Sequence, residues 1–236
     1  MVLNFLNNGV LLHKFNFTLI TLEPKIKDPI TMTNFRPIAL CNTLAKVIAK
    51  CLAIKLKNVL LTIISESQSA FVANRLITDN VLLSYEIHHF IKHKKAGKEG
   101  YMSIKLDMMK AYDRIEWSFL KAMMLQLNFS HKCINLIMDY VTSVSYSVLV
   151  NGNQTGFIKP GRGLKQGDPL SSYLFIICTE GLISLLNNAC VAGELNGIGL
   201  GANTPTFSHI MCADYTLLLG RASVNEATTF PSLHDF

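Results

Sequence analysis

The amino-acid sequence predicts an α+β fold, and three observations lead to that class. Apolar residues follow helical spacing in some segments, β-forming residues concentrate in others, and the two kinds do not alternate regularly as in a βαβ protein. The chain has 236 residues, of which 50% are apolar and only 16% are charged. This length is enough to bury a sizeable core, and this composition excludes an intrinsically disordered chain.

The first hundred residues predict one strand and two helices. Residues 18–22 are a β-forming run that stops at Pro24, residues 25–34 are polar and rich in turn formers, and residues 34–37 close a loop. A helix with a basic side is predicted over residues 44–64, and a second helix over residues 78–91. The apolar positions of the first helix are Leu44, Val47, Ile48, Cys51, Leu52, Ile54 and Leu56, and its lysines are Lys46, Lys50, Lys55 and Lys57. Polar residues 94–100 then predict a linker.

The central part of the chain predicts a strand, a helix and a hairpin. Residues 101–106 alternate loosely as a strand that ends on Asp107, and helical spacing continues from Ala111 to Leu127. Residues 146–150 predict another strand. Asn151-Gly152 is a strong signal for a two-residue hairpin turn, so residues 157–158 are expected to lie on the returning strand.

The C-terminal part predicts a long helix and a second hairpin. After a glycine-rich loop at residues 161–167, Asp168 is expected to cap a helix whose first residue is Pro169. Residues 209–219 are strongly apolar except at Asp214-Tyr215-Thr216, which predicts a hairpin with its turn near Asp214.

Cysteine usage and the absence of sorting signals predict the compartment. Six scattered cysteines contain no C-x-x-C pair, which indicates free thiols in a reducing environment. No signal peptide is expected, and the longest apolar stretch, residues 170–186, contains Glu180 and is too short and polar for a membrane span. The sequence therefore predicts a soluble protein of the nucleus or cytoplasm, with no membrane partner. It sets no oligomeric state.

Two aspartates are candidate metal ligands. Asp107 follows a strand and Asp214 lies at a hairpin turn; each alone is more simply explained as a helix cap or a turn former. Two carboxylates at neighbouring strand ends would suit Mg²⁺, which takes one or two carboxylates together with phosphate oxygens and water. A two-metal phosphoryl-transfer centre is the sharper hypothesis.

Other polar residues have two explanations that the residues alone leave open. Gln166 and Gly167 are either part of a loop that caps a helix or a backbone site that approaches a sugar or base. Lys25 and Arg36 either pair with surface acids or hold a triphosphate. The net charge of +6 fits a phosphate-bearing partner without proving one.

Taken together, these segments resemble the reverse transcriptase of plant non-LTR retrotransposons, the long interspersed elements. The resemblance extends from about residue 15 to residue 222 in the order and spacing of that family. It is carried by LEPK at residues 22–25, NFRPIAL at 34–40, QSAFV at 68–72, KLDMMKAYD at 105–113, NG at 151–152, RGLKQGDPL at 162–170 and CADY at 212–215.

The resemblance implies a right-hand polymerase with fingers and a partial palm built on a ferredoxin-like core, without a thumb. The reverse transcriptase domain would cover residues 15–222. The fingers would take about residues 15–100 and 141–166, and the palm about 101–140 and 167–222. Residues 223–236 would be a truncated tail.

The resemblance also implies roles for single residues. Asp107 and Asp214 match metal-binding, catalytic carboxylates that hold two Mg²⁺ ions in an intact relative. Main chain at Met108 and Met109 would follow the triphosphate, and Tyr112 matches the gate that excludes a 2′-hydroxyl. The remaining matches are Gln166 and Gly167, which contact the new base pair, and Lys25 and Arg36, which contact the β- and γ-phosphates. The partners would be an RNA template, a DNA primer and dNTP.

The chain departs from the family at the metal turn, where Tyr215 replaces the second aspartate of Ala-Asp-Asp. A tyrosine is neutral near pH 7 and adds no anionic ligand. Two divalent cations about 4 Å apart repel each other by roughly 17 kcal/mol at an effective dielectric of about 20, so losing one carboxylate should weaken double occupancy. Ser171-Ser172 also replaces the family's Ser-Pro, and motifs that follow the metal hairpin are not found.

These departures predict a truncated copy with little or no polymerase activity. One alternative is a non-catalytic nucleic-acid-binding remnant, in which the basic helix at residues 46–57 and the loop at residues 92–98 still hold a template–primer duplex through its backbone. Another is a product that does not fold stably. Protease resistance would separate that last alternative from the others.

Overall fold

The computed structural model describes residues 2–9, 15–94, 100–201 and 204–232. Most of the predicted linker at residues 94–100, part of the basic loop at residues 92–98 and the last four residues of the segment 223–236 lie outside the described residues. The described part of the chain is a mixture of helices and short sheets, as the α+β prediction requires.

The helices and strands follow one another irregularly along the chain. The helices are α1 (Val2–Asn8), α2 (Thr43–Ile63), α3 (Ile77–His93), α4 (Ala111–Arg114), α5 (Trp117–Gln126), α6 (His131–Thr142), α7 (Ser171–Val191) and α8 (Val224–Ser232). The strands are β1 (Phe17–Pro24), β2 (Phe35–Cys41), β3 (Tyr101–Asp107), β4 (Ser145–Val150), β5 (Asn153–Ile158), β6 (Ile198–Gly199), β7 (Thr206–Phe207), β8 (His209–Cys212) and β9 (Tyr215–Arg221). A 3₁₀ turn, Met32–Asn34, precedes β2.

The chain divides into two compact units. Unit 1 consists of Met1–Val59 and Lys110–Phe175, and unit 2 of Leu60–Met109 and Ile176–Phe236. Each unit therefore contains segments from distant parts of the sequence. Unit 1 holds a four-stranded sheet, and unit 2 holds a three-stranded sheet and the two-stranded sheet β6-β7.

Unit 1 contains a four-stranded sheet in the order β2-β1-β4-β5, in which β1 and β4 are parallel and the other neighbours antiparallel. The prediction that residues 34–37 only close a loop is wrong, because Phe35, Arg36 and Pro37 belong to β2. Proline lacks the N–H that a central strand needs, but β2 is an edge strand and tolerates Pro37. The hairpin prediction is confirmed: Asn151 and Gly152, with φ of 50° and 81°, join β4 to β5.

The predicted continuous helix from residue 111 to 127 is interrupted in unit 1. It forms as α4 and α5, separated by extended backbone at Ile115 and Glu116. The carbonyl of Tyr112 accepts from the N–H of Leu164, and that of Ile115 from the N–H of Gly163, each at 2.8 Å. These acceptors are used by a loop distant in sequence, so helical spacing alone could not show the break.

The long C-terminal helix begins two residues later than predicted. Pro169 and Leu170 form a turn, and α7 starts at Ser171. Asp168 still caps the segment, because its Oδ1 accepts from the N–H of Leu170 at 2.9 Å. The carboxylate serves a turn that leads into the helix rather than the helix itself.

A buried polar cluster in unit 1 surrounds the other oxygen of Asp168. Its Oδ2 lies 3.3 Å from Lys165 Nζ and accepts from the hydroxyl of Tyr140. The ammonium also donates to Asn16 Oδ1 at 2.7 Å and to the Tyr140 oxygen at 2.8 Å. Burial and the Asp168 carboxylate raise the pKa of Tyr140 far above its ordinary value, so its hydroxyl keeps its proton.

Unit 2 contains the antiparallel sheet β3-β9-β8. Leu218 and Met211 pack on one apolar cluster with α7 residues such as Leu186, and Leu219 packs on another with Ile87 of α3. The strand at residues 101–106 and the hairpin with its turn near Asp214 are confirmed. Burial on both faces explains why the β8–β9 segment is nearly continuous in apolar residues.

The helix predicted at residues 44–64 is confirmed as α2, but its buried stripe differs from the predicted one. Leu44, Val47 and Ile54 are exposed. The buried positions are Ala45, Ile48, Ala49, Leu52, Ala53, Leu56 and Leu60. Three of these buried residues are alanines, and the predicted stripe left them out because it was based on large apolar side chains.

The segment 223–236, expected to be a tail, begins with an ordered helix. In α8, Glu226 is buried and its carboxylate accepts from Asn196 Nδ2 at 2.8 Å and from the N–H of Arg221 at 3.0 Å. Phe230 packs into an apolar cluster of unit 2. These contacts make α8 part of the core of unit 2.

All six cysteines are free thiols, as predicted from their spacing. The helix α7 has the length and apolar composition of a membrane-spanning segment, but 61% of its most apolar window is buried inside the structure. Burial of this kind is typical of the core helix of a globular domain.

The buried His209 predicts a pH dependence of stability. Its ring nitrogens are hydrogen-bonded to Ser67 Oγ and Ser208 Oγ, and burial lowers its pKa to about 4. In the unfolded chain the His209 ring takes up a proton near pH 6.5, whereas in the folded chain it does so only near pH 4. The contribution of neutral His209 to the free energy of unfolding is therefore fully present above pH 6.5, and about 3 kcal/mol of it is lost as the pH falls towards 4. The difference in unfolding free energy between the parent and His209→Gln, measured by urea titration, should therefore shrink over this range. Parallel pH profiles would contradict the expectation.

Candidate metal centre

The antiparallel register of unit 2 brings the two candidate aspartates to one end of the sheet. Asp107, the last residue of β3, pairs with Tyr215, the first residue of β9. Asp214 directly precedes Tyr215, and its carbonyl accepts from the N–H of Met108 at 3.4 Å. The two carboxylates thus come from adjacent strand ends, although 107 positions separate them in the sequence.

A two-residue turn, Ala213–Asp214, connects β8 to β9. Ala213 has a φ of 55°, a left-handed conformation that glycine adopts freely and that costs other residues of the order of 1 kcal/mol. A neighbouring side chain compensates this: Gln68 Oε1 accepts from the N–H of Ala213 at 3.1 Å. The conformation of the turn is therefore determined from outside the hairpin.

A cation and an aromatic ring lie beside the aspartates. The ammonium of Lys105 lies 4.6 Å from the centre of the Tyr215 ring, which is 46% exposed. Lys105 is two residues from Asp107 and so shares its face of β3. Beside Asp107 this chain therefore has the phenol ring of Tyr215 and the ammonium of Lys105. A third carboxylate at residue 215 would instead add negative charge there.

The donor set fits one hard divalent cation. Asp107 and Asp214 supply carboxylate oxygens, and Mg²⁺ is commonly held by two such groups with water and phosphate oxygens. Among residues 2–9, 15–94, 100–201 and 204–232, no three His, Cys, Asp or Glu side chains converge as a metal cluster. The candidate site therefore offers two carboxylates, and a phenol stands opposite Asp107 where a third carboxylate could have been.

The candidate nucleotide residues Met108 and Met109 follow Asp107 in unit 2. Met108 is half-buried and packs against an apolar cluster, while the side chain of Met109 is 69% exposed. The main chain at this point leaves the sheet directly beside the aspartates.

Tyr112, the candidate gate, lies in unit 1. Its ring stacks on the buried Phe175 ring with centroids 5.1 Å apart, and its hydroxyl donates to Ser172 Oγ at 3.3 Å. A ring held at its face and at its hydroxyl has little freedom to move. This rigidity suits a residue that acts by excluding an atom from a fixed position.

The loop that contains Gln166 and Gly167 is held at both ends in unit 1. The flanking residues Lys165 and Asp168 are buried and paired with each other. The carbonyl of Gln166 accepts from the N–H of Ala39 in β2 at 3.1 Å, and Gly167 is exposed with a φ of 94°. On this loop Gln166 is half-buried and Gly167 is exposed.

The candidate phosphate ligands Lys25 and Arg36 lie at one end of the β1–β2 pair in unit 1. Arg36 is exposed and pairs in register with Glu23. The ammonium of Lys25, just after β1, donates to the carbonyl of Thr33 at 3.1 Å. Lys25 and Arg36 are therefore both exposed at the same end of the β1–β2 pair.

Sequence reasoning missed the segment that supports the metal hairpin. In unit 2, the main chain of Ser67 and Ser69 pairs with Met211 of β8, and Asn80 donates to the carbonyls of Ser67 and Met211 at 3.1 and 2.8 Å. Gln68 adds the bond to the turn. The only sequence signal was the QSAFV motif, which carries no periodicity or spacing that predicts this role.

Comparison with protein families gives a match over most of the chain. Residues 24–222 match the family model described as reverse transcriptase (RNA-dependent DNA polymerase).

Among curated proteins, the chain is 31% identical over 167 residues to an uncharacterized 149 kDa protein of transposon TX1 from Xenopus laevis, covering 71% of this chain and 12% of that protein. It is 27% identical over 217 residues to the Pol polyprotein of the type-1 retrotransposable element R2 from Popillia japonica, covering 92% of this chain and 29% of that protein. The chain thus spans less than a third of the length of these two relatives.

Among solved structures, the fold is similar to telomerase. The apo telomerase of Candida tropicalis, truncated from its C-terminal domain, superposes with a TM-score of 0.60 at 16% identity over 96% of this chain and 48% of that one. Telomerase of Candida albicans in complex with a fragment of telomeric RNA gives 0.57 at 15% identity over 95% and 40%.

The family match covers all the segments that carry candidate functional residues, from Lys25 to Asp214, and the relatives include a non-LTR retrotransposon polyprotein. We conclude that this chain belongs to the reverse transcriptase family, of the type found in non-LTR retrotransposons.

Proposed function

We propose that this chain is the fingers and palm of an RNA-directed DNA polymerase from a plant non-LTR element, and that Tyr215 leaves it with little or no polymerase activity. The substrates are a DNA primer, an RNA template and dNTPs. The observation that carries the proposal is the strand register that places Asp107 opposite Tyr215 and next to Asp214. We assign the fingers and palm by family resemblance, with boundaries that differ from those of units 1 and 2.

In this function each residue has a task. Asp107 and Asp214 hold divalent cations, of which an intact relative would bind two. When bound, such cations stabilise negative charge on the attacking and leaving oxygens of phosphoryl transfer. The main chain at Met108 and Met109 orients the triphosphate, and Tyr112 excludes a 2′-hydroxyl.

The remaining candidates bind the incoming nucleotide. Lys25 and Arg36 neutralise its β- and γ-phosphates, Lys25 as a point charge and Arg36 through its fork of donors. Gln166 and Gly167 contact the new base pair from a loop whose ends are fixed. All of these residues position groups, which is the main task of a protein in phosphoryl transfer.

Primer extension tests the proposal. With an oligo(dT) primer on a poly(rA) template and Mg²⁺ or Mn²⁺, the parent chain should incorporate dTTP no faster than its Asp107→Asn variant. Robust incorporation by the parent, lost in Asp107→Asn, would contradict the inactivity while supporting the polymerase assignment. Robust incorporation by both would contradict the assigned site.

A second candidate function is binding of a template–primer duplex without catalysis, and the exposed face of α2 favours it. Lys46, Lys50 and Lys57 are all exposed and are separated by four and seven residues, which places them on one side of the helix. Three lysines in a row can follow a phosphate backbone without reading bases. Binding of this kind depends strongly on salt.

Replacing these three lysines together by glutamine should reduce the slope of log K against log salt for an RNA–DNA hybrid by about 2 to 3, because each phosphate contact contributes a little under one unit. Fluorescence anisotropy between low and moderate salt measures this slope. Lys121→Gln, an exposed lysine on α5, is the control and should change it by less than one unit. An unchanged slope in the triple variant would remove this face of α2 from the duplex site.

A further inference from the structure

The Gln68 side chain is fully buried in unit 2 and lies against the metal turn. Its Oε1 accepts two hydrogen bonds from main-chain N–H groups, that of Ala70 at 3.0 Å and that of Ala213 at 3.1 Å. Two donors at one atom fix the orientation of the amide, since its nitrogen could accept neither bond. Gln68 thus joins its own loop to the residue that precedes Asp214.

The amide nitrogen of Gln68 makes no such contact. This atom, Nε2, has no hydrogen-bond partner among the described residues, although the side chain is completely buried. Leaving a buried donor unsatisfied costs about 1–3 kcal/mol. A side chain of the same shape without a polar nitrogen would avoid this cost. Glutamine at this position is therefore unfavourable at its nitrogen, and the two hydrogen bonds to Oε1 are the contacts that it gains.

The bond to Ala213 acts where the hairpin is strained. Ala213 holds a φ of 55° that its side chain disfavours, and a rotation at this residue would redirect everything that follows it in the turn. The next residue is Asp214, whose carbonyl is in turn bonded to Met108 beside Asp107. The hydrogen bond from Ala213 to Gln68 therefore selects the backbone conformation that brings Asp214 towards Asp107.

The loop that carries Gln68 is itself rigidly attached within unit 2. Arg75 donates to the carbonyls of Ile64, Ser65 and Gln68 at 2.8, 2.5 and 2.8 Å. Glu180 accepts from Ser65 N and Ser65 Oγ at 3.1 and 2.7 Å. Such a support gives Gln68 a fixed origin from which to hold the turn.

We propose that Gln68 is a positioning residue that holds the Ala213–Asp214 turn in the conformation in which Asp214 and Asp107 share one divalent cation. The inference rests on the proposed function, because it takes these aspartates as the metal ligands. Gln68 touches neither metal nor substrate; it acts through the backbone of Ala213. Residues that orient metal ligands in this way typically change metal affinity by 10- to 100-fold when they are replaced.

Terbium binding tests the proposal without requiring polymerase activity. Tb³⁺ has the oxygen preference of a hard cation, and a Tb³⁺ ion held at Asp214 would be sensitised by the adjacent Tyr215. Gln68→Met keeps the shape and removes the acceptor, and it should weaken terbium affinity at least tenfold. Gln68→Glu keeps an oxygen for both N–H groups and should stay within about threefold of the parent.

Three further variants separate positioning from general support. Ser67→Ala removes the bond between the same loop and His209 but leaves the turn untouched, so terbium affinity should change less than twofold. Asp214→Asn should abolish the signal, which assigns it to this site. Ala213→Gly, added to Gln68→Met, should recover part of the affinity, because glycine adopts the positive φ without help.

Hydrogen exchange of the metal-free protein gives an independent readout. In Gln68→Met the peptide that contains Ala213 should exchange faster, while peptides from β9 beyond the turn keep their protection. Unchanged terbium affinity in Gln68→Met, or no recovery with Ala213→Gly, would overturn the positioning role while leaving the metal site in place. A parent chain that shows no Asp214-dependent terbium signal would overturn the metal site and the inference together.

Discussion

Replacing Tyr215 by aspartate is expected to raise primer extension on an RNA template by about 100-fold over the parent chain. The substitution puts a third carboxylate at the start of β9, directly opposite Asp107. A hundredfold gain corresponds to about 2.7 kcal/mol of transition-state stabilisation, which is modest for an added anionic ligand in a site that, in the proposed function of an intact relative, neutralises two cations. The measurement is dTTP incorporation at saturating Mg²⁺, with Mn²⁺ as a second condition.

Two controls isolate the charge of the new side chain. Tyr215→Asn has nearly the same shape as Tyr215→Asp without the charge, and Tyr215→Phe keeps the ring that faces Lys105. Neither should gain activity. If Tyr215→Asp stays inactive while it binds terbium more tightly than the parent in a calorimetric titration, which does not need the Tyr215 ring as a sensitiser, then the missing carboxylate is not what limits the activity of this chain. Equal gains in activity from Tyr215→Asp and Tyr215→Asn would show that removal of the bulky ring, and not the added charge, restores activity.

The second large effect is expected at the buried pair in unit 1, where Lys165→Met should destabilise the unit by about 3–5 kcal/mol. The side chains of Lys165 and Asp168 are 4% and 0% exposed, so removing the ammonium leaves a carboxylate buried without a cation. The hydroxyl of Tyr140 and the thiol of Cys41, the latter at 4.0 Å, would be the remaining donors to that oxygen. Trp117, the single tryptophan, lies in unit 1, and its fluorescence follows the unfolding of that unit in urea.

A double variant distinguishes loss of pairing from loss of packing. Lys165→Met combined with Asp168→Asn removes both charges and keeps an oxygen that can accept from the N–H of Leu170. It should recover most of the stability lost in the single variant, because neutral groups of similar volume often replace a buried pair at little cost. A double variant as unstable as Lys165→Met would show that the methylene packing of the lysine matters more than its charge.

The sequence predicted the elements whose signals are local. The Asn151-Gly152 turn, the strand before Asp107 and the hairpin at Asp214 each depend on a few adjacent residues, and all three are present. The sequence placed Asp107 and Asp214 at strand ends, which predicted that they could lie close together. It did not specify that β3 pairs with β9. Family resemblance supplied the proposed functional roles, which spacing left open.

The errors share one physical cause, which is that the decisive partner is remote in sequence. Pro37 looked like a loop residue because nothing nearby showed that β2 would be an edge strand. The carbonyls at residues 112 and 115 are taken by a loop about 50 positions away, which ends α4 early. Gln68 meets Ala213 across 145 positions, a separation over which no periodicity operates.

The pairing of the Ser67–Ser69 main chain with Met211 also has a consequence for self-association. The outer side of β8 would otherwise present free N–H and C=O groups, and such an open rim invites a strand from another molecule to dock there. The short parallel contact at Gln68 occupies this rim. The segment that supports the candidate metal hairpin therefore also covers the outer side of β8, so a substitution that loosens this segment should make the protein more prone to aggregate.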